Sequence, residues 1–373
     1  MRILHLVAYP LYSGPVPPTL GLAAAQRGLG HDVWVACDSK RGNFDGFEEE
    51  AAPHVRRLGL QAGWPLVLST KATLGELWRD VGCLRRLARA TQADVLHAHM
   101  SHDHWLALLA GGGRHLPLVR TVHAQRVLRR RLGSHWLARR TSGWIVRSTA
   151  HLHLLDRLLG DVGRRGRVIA AGCDAASFGP TPSQATARAH FGLQLPPGVM
   201  LLGQAALMAR RGQEELVEAM ALLPPPRPHV FFAGAGEAET SLRQRVARLG
   251  LAGEVHFAGY VETAALGMFY GALDAAFVAQ PGNDASCRGI LEAFAAALPV
   301  VGVNESAIRD LITPATGYLA AARHPEAIAL ALRSWLADPR REQKGRFGQE
   351  FVRRQRRFDH EAEATMDFYR AVG

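Results

Sequence analysis

The chain has 373 residues, of which 48% are hydrophobic and 21% charged, a balance that excludes extended disorder and predicts two compact domains. The formal net charge of +11 would attract nucleic acid, anionic lipid head groups or phosphorylated substrates. Only three of the 44 basic residues are lysines, so genome composition explains the arginine excess equally well, and no zinc-finger, RNP-like or helix-turn-helix pattern supports nucleic acid.

The start of the sequence predicts a buried strand and no secretion signal, because the apolar run 1–8 breaks at Pro10 with no cleavage pattern behind it. No apolar stretch approaches the roughly 20 residues that span a bilayer. We therefore expect a cytoplasmic protein, and its charge leaves open a peripheral position on the inner face of the membrane. The four cysteines lack C-x-x-C spacing, which fits a reducing compartment; they are Cys37, Cys83, Cys173 and Cys287.

In the first half of the chain, short apolar runs alternate with longer amphipathic stretches. Nearly continuous apolar strands that are separated by helices indicate a parallel sheet covered on both faces. The predicted strands are 3–8, 32–36, 95–97, 118–123, 143–146 and 167–170.

The same pattern begins again after the polar stretch 178–197, which predicts a second sheet of the same kind. The fold class is therefore α/β, with two Rossmann-like doubly wound domains that face each other across a cleft. We place the domains at residues 1–173 and 174–350. The second set of predicted strands is 199–203, 229–234, 255–259, 274–278 and 299–301.

A last helical stretch covers about residues 340–371, and we expect residues 351–373 to pack back towards the N-terminal domain. Its arginines at 353, 354, 356 and 357 leave two interpretations open, a basic surface for an anionic membrane or a solvated helix face. Aromatic and methionine side chains on a charged background indicate core anchors; they are Phe347, Phe351, Phe358, Met366 and Phe368.

The segment 280–301 contains the most informative pattern: a strand end, a polar loop, a helix and a further strand. Asp284 lies in the loop and Glu292 in about the second turn of the helix, so both can face one pocket. The backbone amides at the start of that helix can stabilise a phosphate without a cation. The alternative is that Asp284 only caps the helix and Glu292 is an ordinary helix acid.

This segment resembles the E-x7-E region of the family 4 retaining glycosyltransferases, also called glycosyl transferases group 1, which have the GT-B fold. Asp284 stands in the first acidic position, and Glu292 stands in the second within L-E-A-F-A-A-A-L-P-V-V. The resemblance implies that Asp284 engages the donor sugar and that Glu292 holds the nucleotide ribose. It also implies donor contacts from the helix start at Ala285, Ser286, Cys287 and Arg288.

The N-terminal half carries further segments of the same resemblance. Ser13 and Gly14 follow the first strand, as in the glycine loop that approaches the donor phosphates and the acceptor. A later predicted strand ends around His97 and His99, and the next one ends at His123. The resemblance makes His123 a sugar-contacting catalytic residue, and it places Ser13, His97 and His99 on the acceptor side.

The second half departs from the family pattern at the phosphate site. The stretch 203–212 stands in the place of G-R-L…K-G, where Arg211 replaces the lysine and the first arginine is missing. Arg210 or Arg288 can supply the second charge, although ordinary surface arginines remain an alternative for Arg210 and Arg211. Gly234 resembles the glycine turn that the nucleotide approaches closely.

A metal site is the competing interpretation of the histidine run His97, His99, His102 and His104, because imidazoles at alternating strand positions share a face. No cysteine or acid other than Asp103 completes an obvious ligand set, and histidines at strand ends usually make local hydrogen bonds. We therefore predict no metal and no cofactor, with a nucleotide sugar as co-substrate.

Taken with the residues that match it, the resemblance implies a metal-independent retaining glycosyltransferase. We expect a UDP- or GDP-linked donor and a saccharide, lipid-linked or small-molecule acceptor, in cell-surface glycan or lipopolysaccharide synthesis. The missing arginine and the aspartate at the first acidic position leave open a weak or inactive nucleotide-sugar or glycan-binding protein on the same fold. An epimerase or a phosphorylase on a two-domain scaffold is a third alternative, although a pyridoxal-phosphate lysine is implausible with three lysines.

Overall fold

The computed structural model of the protein describes residues 1–9, 14–37, 61–62, 73–123, 133–160, 163–178, 183–206, 211–279, 287–305 and 307–373. The chain forms two compact units. The first unit contains Met1–Gly172 and Arg357–Gly373, and the second contains Cys173–Gly282 and Cys287–Arg356. No helix among the described residues is long and apolar enough to cross a membrane.

The first unit is built on a parallel sheet of seven strands in the order β3-β2-β1-β4-β5-β6-β7. The order reverses between β1 and β4, which are neighbours, and such switch points are where doubly wound sheets bind ligands. The strands are β1 (Arg2–Val7), β2 (Asp32–Cys37), β3 (Gln61–Ala62), β4 (Val95–Ala98), β5 (Leu118–Val122), β6 (Gly143–Val146) and β7 (Gly166–Val168).

Helices cover both faces of this sheet, as the nearly continuous apolar strands predict. One face packs against α1 and the last helix, α14, and the other face packs against α2, α3 and α5. The helices of this unit are α1 (Val16–Gly28), α2 (Leu74–Ala90), α3 (Ser101–Leu109), α4 (Ser134–Arg140), α5 (Thr149–Leu159) and, from the end of the chain, α14 (Phe358–Val372).

The second unit has a parallel sheet of six strands in the order β10-β9-β8-β11-β12-β13, with its switch point between β8 and β11. The strands are β8 (Leu201–Ala205), β9 (His229–Ala233), β10 (Val255–Gly259), β11 (Ala275–Val278), β12 (Val300–Val303) and β13 (Gly317–Ala320). The helices are α6 (Gln184–His190), α7 (Gln213–Ala221), α8 (Glu239–Arg248), α9 (Leu266–Gly271), α10 (Arg288–Ala295), α11 (Ile308–Leu311), α12 (Pro325–Ala337) and α13 (Arg341–Gln355).

The two parallel sheets with their flanking helices confirm the predicted α/β class with two Rossmann-like domains. The prediction of one helix over 340–371 is wrong, because the chain breaks between α13 and α14. The carbonyl oxygen of Arg356 accepts a hydrogen bond from the backbone N–H of Cys173 at 2.7 Å, and Arg357 is extended with φ −86° and ψ 155°. The carbonyl that would continue the helix therefore serves the start of the second unit instead.

Helix α14 belongs to the core of the first unit. Its Met366, Phe368 and Tyr369 are buried against the first sheet. A buried ion pair also fixes it, since Arg147 Nη1 lies 2.7 Å from Glu361 Oε1 and the backbone N–H of Gly172 donates to Glu361 Oε2 at 2.7 Å. The last helix of the chain therefore packs on the sheet that contains its first strand.

Candidate active site

Helix α10 of the second unit begins at the switch point of its sheet, after strand β11. Cys287 precedes the helix in the left-handed region, with φ 49° and ψ 48°, a conformation that side chains other than glycine adopt at a cost and that is frequent at binding sites. Cys287 is buried, and Arg288 opens the helix. Asp284, Ala285 and Ser286, which the sequence predicts as donor contacts, lie outside the described residues.

Glu292 lies in the second turn of α10, and only 8% of it is exposed. The hydroxyl of Tyr270 on α9 donates to Glu292 Oε2 at 2.9 Å, and Arg288 Nε lies 3.0 Å from Glu292 Oε1. A hydroxyl and a guanidinium thus hold the two carboxylate oxygens in place. This arrangement gives Glu292 a fixed direction from which it can accept hydrogen bonds from ligand hydroxyls.

Burial raises the pKa of Tyr270 well above its ordinary value, and the nearby Glu292 carboxylate raises it further. Burial and then the same carboxylate raise the pKa of the Cys173 thiol. Both groups therefore stay protonated at neutral pH. Tyr270 acts as a hydrogen-bond donor to the carboxylate throughout this range, and sequence reasoning missed it.

The turn after β8 lies next to β11 at the same switch point. Gln204 Nε2 donates to the carbonyl oxygen of Arg211 at 3.1 Å, and the backbone N–H of Arg211 donates to Gln213 Oε1 at 2.7 Å. Gly212 has φ +89°, and a Cβ there would lie 2.2 Å from the Cβ of Ala279, so only glycine fits. Arg211 is half-buried, and Arg210 lies outside the described residues.

Gly234 directly follows β9, the strand on the other side of β8, and has φ +138°. Its backbone N–H donates to the carbonyl oxygen of Gly259 at 2.7 Å. The second unit therefore presents Gly234, Arg211 and the start of α10 along the carboxyl ends of β9, β8 and β11. Parallel strands bring these segments together although they are far apart in sequence.

The turn after β1 holds Gly14 with φ +55°, which favours glycine, and α1 begins at Val16. Ser13 lies outside the described residues. Of the predicted histidines, His97 lies within β4, His99 follows β4, and His123 follows the neighbouring strand β5. Strand register pairs His97 with His5 of β1. Sequence reasoning also missed His5, and its place at an alternating position of the buried first strand is the signal that could have found it.

Four histidine side chains form a buried cluster on the face of the first sheet that α1 and α14 cover. His5 Nδ1 lies 2.9 Å from His99 Nε2, and His99 Nδ1 lies 3.0 Å from His123 Nε2. His97 contacts Tyr369 Oη through Nδ1 at 2.5 Å and Thr121 Oγ1 through Nε2 at 2.7 Å. None of the four histidines is more than 4% exposed.

Burial lowers the pKa of His5 to about 4 and lowers those of His97 and His99 well below the ordinary value, with neighbouring imidazoles and arginines adding to the effect for the last two. These three rings are therefore neutral at neutral pH. The sheet separates them from His104, whose Nε2 lies 2.9 Å from Thr141 Oγ1 on the opposite face. The histidine run considered as a metal site is thus divided between the two faces.

The structure instead places ligand atoms of His5, His97 and His99 within 4.8 Å of one another, a spacing that could accommodate a metal ion. Every ring nitrogen of these three side chains already has a protein hydrogen-bond partner, however. The arrangement fits a hydrogen-bonded network at least as well as a ligand set. The absence of a metal requirement stays a prediction.

Asp103 joins the ends of β1 and β4 beneath these histidines. Its carboxylate accepts hydrogen bonds from the backbone N–H groups of Ala8 at 3.1 Å and of Met100 at 2.8 Å. Burial raises the pKa of Asp103 to about 7 against the opposing effect of Arg120, whose own pKa burial lowers to about 10. Their closest atoms are 3.7 Å apart. The pair fixes the loop that carries His99.

Two family models match the chain, Glycosyltransferase Family 4 over residues 19–176 and Glycosyl transferases group 1 over residues 199–351. The D-inositol 3-phosphate glycosyltransferase of Kineococcus radiotolerans is 27% identical over 314 residues, which are 74% of this chain and 71% of that protein. The lipopolysaccharide core biosynthesis mannosyltransferase LpsB of Rhizobium meliloti is 29% identical over 218 residues, 54% of this chain and 60% of that protein.

Solved structures show the same architecture at low sequence identity. HepE of Anabaena in complex with UDP and glucose is 18% identical with a TM-score of 0.80, and the match covers 98% of both chains. A glycosyltransferase of Rickettsia africae is 15% identical with a TM-score of 0.81, over 100% of this chain and 98% of that one. The two family models together match most of the chain, and it therefore belongs to the glycosyl transferases group 1, enzymes of the GT-B fold.

Proposed function

We propose that the protein transfers a glycosyl unit from a nucleoside diphosphate sugar, with retention of anomeric configuration and without a metal ion. The observation that carries the proposal is the Tyr270–Glu292–Arg288 arrangement at the start of α10, on the switch point of the second sheet. In this proposal Glu292 accepts hydrogen bonds from the ribose hydroxyls, and the helix start faces the diphosphate.

The reaction breaks the bond between the anomeric carbon and the diphosphate oxygen, whose electron pair leaves with the diphosphate. An acceptor hydroxyl oxygen forms the new bond on the same face of the sugar, and its proton passes to the departing phosphate oxygen. The helix start and Arg211 stabilise the charge of the leaving group, so no cation is required. In this proposal Asp284 and His123 contact the transferred sugar, as the family resemblance implies.

The donor is proposed to be UDP- or GDP-linked. Structural neighbours include HepE in complex with UDP-glucose, and the Rhizobium relative is a mannosyltransferase of lipopolysaccharide core biosynthesis. These names favour a saccharide or lipid-linked acceptor in cell-surface glycan synthesis. A cytoplasmic location fits that proposal, because nucleotide sugars are the co-substrates.

We also propose a peripheral position on an anionic membrane, which would present a lipid-linked acceptor. Trp105 and Trp136 stack on the surface of the first unit with ring centroids 5.9 Å apart, and Arg140 lies 5.3 Å from the centroid of Trp136. Exposed tryptophan beside arginine suits a lipid interface. By contrast, Arg354 and Arg357 form ion pairs with Glu350 and Asp359, so the last two helices supply less unpaired charge.

Calorimetry tests the donor site. Purified protein is titrated with UDP, GDP, ADP and their sugar conjugates in EDTA, alongside Glu292→Ala and the control Glu239→Ala. Glu239 pairs with Arg243 on the surface of the same unit. We expect one nucleotide to bind in EDTA, Glu292→Ala to abolish that binding, and Glu239→Ala to leave it unchanged. Equal binding by both variants, or binding that requires a divalent cation, would contradict the proposed site.

Turnover then tests the reaction itself. Incubation of the bound donor with saccharide acceptors, followed by NMR of the product, reports the configuration at the anomeric carbon. An inverted product would remove the retaining mechanism while leaving the transferase in place.

A second candidate is a glycosyltransferase relative that binds nucleotide sugars with little or no turnover. Gln204 stands in the position of the missing arginine and is only 5% exposed. Its amide nitrogen donates a hydrogen bond to the carbonyl oxygen of Arg211. It therefore brings structure but no positive charge to the phosphate site. Donor binding without transfer to any acceptor would favour this candidate.

A further inference from the structure

The histidine cluster of the first unit ends in one buried amide. Gln26 of α1 is fully buried, and its Oε1 lies 2.7 Å from His5 Nε2. From there the contacts continue from His5 to His99 and from His99 to His123 at 2.9 Å and 3.0 Å. A single chain of hydrogen bonds therefore connects a helix on the back of the sheet with the predicted sugar-contacting histidine.

A neutral imidazole has one N–H group and one acceptor nitrogen. In a linear chain of such rings, every hydrogen bond must run in the same direction, because a ring that donates through one nitrogen must accept through the other. The direction at one end therefore determines the tautomer of each ring. His5 and His99 are neutral at neutral pH because burial lowers their pKa.

We propose that Gln26, His5 and His99 act as positioning residues that hold His123 as its Nε2–H tautomer, so that its Nδ1 accepts a hydrogen bond from a hydroxyl of the sugar. The amide oxygen of Gln26 accepts from His5 Nε2–H, His5 Nδ1 accepts from His99 Nε2–H, and His99 Nδ1 accepts from His123 Nε2–H. The role in sugar binding rests on the proposed transferase function, whereas the tautomer does not.

A second series of hydrogen bonds begins at the amide nitrogen of Gln26. This nitrogen lies 3.5 Å from Tyr369 Oη, which in turn contacts His97 Nδ1, and His97 Nε2 contacts Thr121 Oγ1. The hydroxyl of Tyr369 accepts from the amide and donates to His97, so His97 is also an Nε2–H tautomer. Both series of hydrogen bonds agree with the same orientation of the Gln26 amide.

The tautomers are measured directly in ligand-free protein. Histidine labelled with ¹⁵N in the ring gives long-range ¹H–¹⁵N correlation spectra that distinguish protonated from unprotonated nitrogens. Single His→Gln variants assign His5, His97, His99 and His123 among the 17 histidines. We expect all four as Nε2–H tautomers at pH 7.5.

Variants of Gln26 test the direction of the hydrogen-bond chain from Gln26 through His5 and His99 to His123, which we call the relay. Gln26→Met keeps an unbranched side chain of similar length but removes the acceptor, and Gln26→Glu keeps an oxygen acceptor. Thr121→Val is the matched control, since Thr121 is equally buried and ends the second series. We expect Gln26→Met to leave His123 as a mixture of tautomers, and Gln26→Glu and Thr121→Val to keep it as Nε2–H.

Transfer kinetics give the functional readout. An incorrect tautomer of an active-site histidine impairs catalysis strongly, so we expect kcat of Gln26→Met to fall by roughly tenfold or more. We expect the dissociation constant of the free nucleotide to stay unchanged, because Glu292 and Arg211, the residues proposed to hold the ribose and the diphosphate, lie in the second unit. Gln26→Glu restores most of kcat. A purely structural role would instead lower kcat equally in Gln26→Met and Thr121→Val, in parallel with their thermal stability.

Three results would overturn the relay: His123 as the Nδ1–H tautomer in the unmodified protein, a Gln26→Met variant with unaltered His123 resonances, or stoichiometric Zn²⁺ binding that shifts the resonances of His5, His97 and His99 together. The last result would identify a metal centre. If no donor or acceptor supports transfer by the unmodified protein, the proposed function fails while the NMR result still decides the relay.

Discussion

Tyr270 and Glu292 illustrate how folding can order a carboxylate that is proposed to bind a ligand. The phenol occupies one oxygen at 2.9 Å and Arg288 the other at 3.0 Å, so the side chain of Glu292 is ordered by folding and not by the ligand. Binding then loses less side-chain entropy. In the proposed site, the remaining acceptor directions of the carboxylate would accept hydrogen bonds from a vicinal diol such as that of ribose.

Replacing Tyr270 by phenylalanine should weaken nucleotide binding without unfolding the protein. The ring still packs edge-on against Phe178 and Phe269, but Glu292 loses a charge-assisted hydrogen bond of about 1.5 to 3 kcal/mol. We expect the nucleotide dissociation constant to rise by roughly tenfold, as measured by calorimetry. The control is Tyr318→Phe, which removes a tyrosine hydroxyl 3.0 Å from Asp338 in the same unit. Equal affinities for both variants would show that Tyr270 does not orient Glu292.

Local sequence patterns predicted the residues that follow strands or lie within one helix. Glu292 was proposed from its place in the helix, and His97, His99 and His123 from their places in or after strands together with the family resemblance; their roles stay predictions. Tyr270, His5 and Gln26 were missed, because their contacts join segments that are 21 to 94 positions apart in sequence. Such contacts depend on strand order, which no single local pattern encodes.

At the scale of elements, α14 is held by the ion pair between Arg147 and Glu361. Glu361 is 3% exposed, and its second oxygen accepts from the backbone of Gly172. Phe358, at the start of the helix, packs so closely on Gly21 that a Cβ there would lie 2.2 Å from the ring. The position of α14 is therefore determined by close packing and by a buried charge pair.

Glu361→Ala should destabilise the first unit by about 3 to 5 kcal/mol, because it leaves the Arg147 guanidinium buried without its carboxylate. Glu363→Ala on the exposed side of the same helix is the control and should change stability by less than about 0.5 kcal/mol. Denaturant unfolding monitored by circular dichroism compares the two. Similar midpoints for both variants would mean that packing alone holds α14.

Among the elements, the long apolar strands were predicted to within a few residues, whereas β3 and β13 were not. Strand β3 has two residues, too few for any periodicity, and it pairs at the sheet edge beside β2. Strand β13 has a glycine at its start and an exposed Leu319, so its apolar pattern is weak. Pairing with β12 makes it a strand, and this is a tertiary effect.

At the scale of the whole molecule, the first unit buries an unusual number of neutral imidazoles. Burial lowers the pKa of His5, His97, His99 and His104 in the folded state, and it raises the pKa of Asp103 to about 7. As the pH falls below about 6.5 the unfolded chain binds protons at these histidines before the folded one does, which destabilises the fold. Protonation of Asp103 over pH 7 to 4 has the opposite effect.

The four histidines outnumber the one aspartate, so we expect stability to decrease as the pH falls from 7 to 5. His104→Gln should make this loss of stability smaller, because it removes one of the buried histidines that take up a proton when the chain unfolds. His115→Gln, at an exposed position, should not alter the loss. Denaturant unfolding at half-unit steps of pH measures the slope. A stability that is constant across this range would show that the histidines become charged within the fold.

The return of α14 to the first sheet also sets an order of events during synthesis. Gln26 and His97 leave the ribosome long before Tyr369, and the ion pair of Arg147 must wait for Glu361. The second unit ends at Arg356, before any of these partners has been made. The half of the protein that is translated first is therefore the half whose fold is completed last. Until α14 is made, the polar groups that it will contact can form those hydrogen bonds only with water.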